Sequence, residues 1–128
     1  MRGRITAAAA ITSLVAACAP ADAPAARDAG ASFQQAVVRG DAAAACALLA
    51  QEARGNLESA SAESCAQALP ALDLPAGGVR SVEVWGGTAQ VRLESGVLFL
   101  ARFRTGWQVT GAGCQPRPDL PYDCSVQG

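Results

Sequence analysis

The stretch SVEVWGGTAQVRLESGVLFLARFRTGWQVT, Ser81 to Thr110, decides the fold class. Its side chains alternate with period two, the repeat that sorts neighbours onto opposite faces of a pleated strand. Val82 and Val84 alternate with Ser81 and Glu83, then Ala89, Val91 and Leu93 with Gln90, Arg92 and Glu94. Val97, Phe99, Ala101 and Phe103 alternate in turn with Leu98, Leu100, Arg102 and Arg104. Gly86-Gly87, Ser95-Gly96 and Thr105-Gly106 interrupt the runs at hairpin spacing. The stretch predicts a four-stranded antiparallel meander whose last strand opens at Trp107.

Such a sheet has an apolar face that must be covered, and the segment before it is the available cover. From Ser32 the period becomes helical, with Phe33, Ala36 and Val37, then Ala44 and Leu48, on one face. Asp41 is a good N-cap. The pattern predicts helices over Ser32–Arg39 and Ala42–Ala53, or one helix bent at Gly40, closed by Gly55-Asn56. A short helix over Ala62–Leu69 follows behind Ser61 and is closed by Pro70. The expected class is α+β, N-terminal helices packed on a curved four-stranded antiparallel sheet. The proline-rich tail, Gly111 to Gly128, reads as irregular apart from its cysteines.

The start of the chain carries an address. Arg2 and Arg4 precede a 13-residue apolar run, Ile5 to Ala17, and Val15-Ala16-Ala17-Cys18 ends it. A spanning helix needs about 20 residues, so the run reads as an export signal. Its cysteine resembles a bacterial lipobox. The expected organisation is a lipoprotein signal peptide over 1–17, a lipidated Cys18 with a flexible tether over 18–31, and a single domain over 32–128. The lipid, palmitate included, would hold the chain on the extracytoplasmic face of the cell membrane, since two acyl chains suffice for stable anchoring. The rival reading is a plain signal peptide cut at Ala17-Cys18-Ala19.

The other cysteines agree with export. Cys46, Cys65, Cys114 and Cys124 form an even set in a short chain, which reads as two disulfides. Of three connectivities, Cys46–Cys65 and Cys114–Cys124 are favoured because each pair is close in sequence. No C-x-x-C spacing suggests zinc. The ten basic residues are all arginine, and without the leader eight face eleven carboxylates, a net charge of −3. That balance argues against nucleic acid. The chain has no histidine, hence lacks the commonest general base and metal ligand.

Individual side chains point to packing more than to chemistry. Trp107 reads as core, and Trp85, beside a turn, as partly exposed. Glu83 and Glu94 read as a solvated ladder with Arg80, Arg92, Arg102 and Arg104. Arg102 and Arg104 together could also hold an anion. Tyr122, between Pro121 and Asp123, reads as a cover for a disulfide. No serine lies in a nucleophile motif, and no glycine pair opens a phosphate loop.

The order Phe33-x-x-Ala36-Val37-x-x-Gly40-Asp41, a cysteine-bearing second helix and then a curved meander resembles the nuclear transport factor 2-like cone, a cystatin-like arrangement shared with ketosteroid isomerase and SnoaL-type proteins. The ending Gly106-Trp107-x-Val109-x-x-x-Gly113-Cys114-x-Pro116-x-x-x-x-Pro121-Tyr122-x-Cys124 resembles small actinobacterial lipoproteins of unknown function. The resemblance implies a concave fold. It transfers no catalytic residue: SnoaL-type cyclases use aspartate and histidine, and this chain has no histidine, while ketosteroid isomerase uses a tyrosine with acidic residues, and the only tyrosine here, Tyr122, lies in the cysteine-closed tail. The sequence therefore predicts a lipid-anchored, non-catalytic accessory domain with no cofactor, binding a small apolar ligand or an envelope protein. The alternatives are a cone-fold isomerase or cyclase with Asp73 or Glu83 as base, and a structural envelope component.

Overall fold

A computed structural model describes Gly3, residues 8–11 and residues 22–128. The leader and Cys18 therefore fall largely or wholly outside the described residues. The chain is α+β. Among the described residues, four α-helices, α1 (Ala23–Val38), α2 (Ala42–Leu48), α3 (Gln51–Ser61) and α4 (Cys65–Ala68), and a 3-10 turn at Leu69–Leu72 precede the sheet. The strands are β1 (Val79–Trp85), β2 (Thr88–Leu93), β3 (Val97–Phe103), β4 (Gly106–Arg117), β5 (Leu120–Asp123) and β6 (Val126–Gln127). Their order is β1-β2-β3-β4-β5, all antiparallel, with β6 added alongside β4.

The sheet face under the helices is set by register. Val91 lies opposite Leu98, Ala89 opposite Leu100, and Leu100 opposite Val109. All of these side chains are buried, together with Phe33, Ala36, Leu49 and Trp107. Hence Leu98 and Leu100, not Phe99 and Phe103, fill the space beneath the helices. Phe99 is half-buried on the opposite face, and Phe103 is exposed.

Three expectations change. First, helix α1 takes in residues 23–31 of the expected tether. Pro24 stands in its first turn, where the missing N–H has no helical partner to lose. The small residues that suggested a linker are a packing surface: Ala26, Gly30, Phe33 and Ala36 are all buried. A Cβ on Gly30 would lie 3.1 and 3.2 Å from the two methyls of Val91, so glycine lets α1 approach β2.

Second, the helix from Ala42 ends at Leu48 rather than Ala53. Leu49 turns to extended backbone (φ −72°, ψ 141°) and bridges Val109, while the Ala50 N–H donates to the Val109 carbonyl at 2.8 Å. The sheet takes these backbone groups. A new helix then runs through Gly55-Asn56 to Ser61, and the Asn56 amide donates to the Gln127 carbonyl at 3.0 Å. Ser61 ends that helix instead of capping the next one; its hydroxyl donates to the Leu57 carbonyl at 2.8 Å. The short helix shrinks to Cys65–Ala68.

Third, the tail is regular. β4 continues to Arg117, β5 returns along it and β6 pairs Gly111–Ala112. The sheet thus has six strands rather than four.

Both expected disulfides are present. Cys46–Cys65 joins α2 to α4, and Cys114–Cys124 joins β4 to the end of the β5 segment. Gly111 makes room for the second: a Cβ there would lie 3.2 Å from Cys114 Sγ and 3.4 Å from Phe99.

Candidate functional site

A recess of about 240 Å³ opens between α1, α2 and the 3-10 turn. Ala36 and Val37 form one wall, Ala42 and Ala45 another, and Leu69, Pro70 and Leu74 the third. The local sequence explains the opening. Gly40, in the left-handed region at φ 70°, turns α1 sharply into α2, and Asp41 caps α2 by accepting from the Ala44 N–H at 3.1 Å. Alanines on both helices leave space where larger side chains would close it. The Cys46–Cys65 bridge ties α2 to the segment that carries the third wall. Asp73 stands at the rim, left-handed at φ 47°, and is exposed. Such a site offers apolar contact and one carboxylate.

The other candidate acid, Glu83, is exposed on β1 between the inward-leaning Val82 and Val84, paired across the strand with Gln90. The sheet separates it from the recess on the helix side. Asp73 and Glu83 are thus not brought together.

The expected ladder of Glu83, Glu94 and arginines does not form. Among the described residues the ion pairs are Arg54–Glu58 at 3.6 Å and Arg102–Asp22. Arg102 lies on the helix side of β3, reaches the residue preceding α1 and stands 6.0 Å from the Trp107 ring centre. It is therefore committed to holding α1, and it does not form a two-arginine anion site with Arg104. Trp107 is buried and Trp85 is 55% exposed. Tyr122 meets Phe99 edge to face at 5.1 Å, and its hydroxyl accepts from the buried Gln90 amide at 3.2 Å. It covers the outer face of the sheet.

A second, open groove of about 970 Å³ runs between the start of α3 and the β3–β4 hairpin, with Phe103, Arg104 and Gln108 on one side and Gln51, Glu52 and Arg54 on the other. No group of three or more histidine, cysteine or acidic residues fit to hold a metal ion occurs among the described residues, and no helix there is long and apolar enough to cross a membrane. The recess is not legible in the sequence because Ala36, Ala45 and Leu74 carry no chemical signal; only Gly40-Asp41 marks the turn that creates it.

No family model, curated protein or solved structure matches the chain.

Proposed function

We propose that this chain is an exported bacterial lipoprotein, anchored through Cys18 to the extracytoplasmic face of the membrane, whose domain is a non-catalytic binding module of nuclear transport factor 2-like type. The observation that carries the binding role is the apolar recess between α1, α2 and the 3-10 turn, with one carboxylate at its rim. Its ligand is a small apolar molecule, bound by contact with Val37, Leu69 and Leu74, and any polar end would face Asp73. The leader supports the address. So does cysteine usage: four of five cysteines pair with one another, which leaves Cys18 no partner within the chain. Disulfides of this kind persist in oxidising compartments. The order of helices before an antiparallel meander supports the fold family.

Expression in a bacterial host with labelled palmitate tests the anchor. Label and membrane fractionation should both be lost in Cys18→Ala; a variant that fractionates like the wild type refutes it. Thermal shift against a panel of small apolar compounds tests the recess. Hits should disappear in Ala42→Leu, which narrows the opening from a partly exposed position. Hits that survive it place the ligand elsewhere.

A further inference from the structure

The chain's exposed aromatic side chains, Trp85 at 55% and Phe103 at 45%, lie at the same end of the domain. Phe33, Phe99, Trp107 and Tyr122 are buried or half-buried. β1 and β3 both run toward that end, so Trp85 and Phe103 each stand beside a hairpin turn, Gly86-Gly87 and Arg104-Thr105. The Arg102 N–H donates to the Gly87 carbonyl at 2.8 Å, which ties the first turn to the end of β3, just before the second. The Arg102 side chain reaches Asp22, from which α1 begins. The two aromatics, Arg104 and the start of α1 therefore share one end, and it is the end from which the chain runs back to Cys18.

The remaining connection is short. Because α1 begins at Ala23, only residues 19–22 separate it from Cys18. Four extended residues span at most about 14 Å. The interfacial zone beyond the hydrocarbon is itself about 6 Å deep on each side. A lipid on Cys18 thus holds this end against the headgroups. Tryptophan is favoured at that depth, and arginine beside it meets phosphate. Arg104 has no ion-pair partner among the described residues.

We infer that this end is a membrane-docking surface, with Trp85 and Phe103 seated in the interfacial zone of the bilayer and Arg104 against its phosphates. The inference rests on anchorage through Cys18. Docking orients the domain, turning its opposite end, where Val38 and Leu120 are exposed, away from the bilayer.

The test uses the full chain purified from a bacterial host and reconstituted into phosphatidylcholine–phosphatidylglycerol vesicles with brominated acyl chains. Intact mass first reports the acyl chains on Cys18. Tryptophan emission then reports docking. The wild type should be quenched by brominated lipid and shielded from iodide, and Trp85→Phe should lose that quenching because Trp107 is buried. Phe103→Ser with Arg104→Ser should stay anchored yet lose most of the lipid quenching and regain iodide access. An acylated protein whose Trp85 is quenched by iodide as readily as in soluble Cys18→Ser overturns docking and leaves the anchor standing. A mass without acyl chains removes the anchor, and the docking surface with it.

Discussion

Gly30→Ala is expected to destabilise the protein, against the ordinary behaviour of glycine in a helix. Gly30 lies within α1, where replacing glycine by alanine normally gains about 1 kcal/mol. Here the new methyl would sit 3.1 and 3.2 Å from the two Val91 methyls. Val91 is fully buried and opposite Leu98 in the centre of the sheet, and a β-branched side chain has little rotamer freedom with which to yield. Overpacking of this kind costs about 1–3 kcal/mol. The balance is a net loss of about 1 kcal/mol, or about 4 °C in Tm for a domain of this size. In a Val91→Ala background the crowding is gone, so the same change should stabilise by about 1 kcal/mol. The coupling between the two sites is then about 2 kcal/mol, within the range seen for residues in contact. Guanidinium unfolding of the four proteins of the cycle measures it. Gly30→Ala that is stabilising in both backgrounds, with coupling near zero, would refute the docking of α1 on β2. A neutral effect in both would mean that residues 23–31 are a tether after all.

The remaining predictions concern the staples, the latch and the tail. Replacing Cys46 and Cys65 together by alanine should cost about 3 kcal/mol, and Cys114 with Cys124 slightly less, since the closed loops span separations of 19 and 10 residues. Removing both bridges should cost about 6 kcal/mol, comparable with the whole stability of many domains, so the protein should lose its cooperative thermal transition in reductant. Asp22→Ala should cost under about 1 kcal/mol, because its pair with Arg102 is more than a third exposed on both sides; a larger loss in denaturant unfolding would mean that α1 depends on this latch. Gly111→Val should destabilise by about 1–3 kcal/mol through crowding of Phe99 and both sulfurs of the second bridge, and an unchanged unfolding midpoint would count against that packing.

The meander was legible because period two and glycine-bearing turns are strong local signals: the first three strands and their tight turns follow directly from residues 81–103. The disulfides were legible for a related reason, since each closes a short loop inside one structural unit. The helix ends, by contrast, are not set by local signals. Gly55-Asn56 is a stop signal by propensity, yet both residues lie inside α3 because Asn56 finds the Gln127 carbonyl and α3 packs beside the last strand. The break at Leu49 has the same origin in reverse: nothing around it marks a stop, but Val109 offers its backbone a partner. The tail strands were illegible because β5 and β6 exist only by pairing with β4.

The misread tether has the largest consequence. Alanine makes up 30 of 128 residues, so an alanine run is a weak helix signal in this chain, and Pro24 among small residues reads as a linker. Both features suit a helix that begins at that proline and needs small side chains to lie close to a sheet. A tether of a dozen flexible residues would let the domain sample many orientations far from a bilayer. A connection of four residues leaves little such freedom. With the proposed lipid on Cys18, the orientation of the domain then depends on the side chains at the end where α1 starts, among them Trp85, Phe103 and Arg104 beside the hairpin turns. If Cys18 carries the proposed lipid, a change in helix length of nine residues turns an anchor that would set only location into one that would also set which face of the protein meets the membrane.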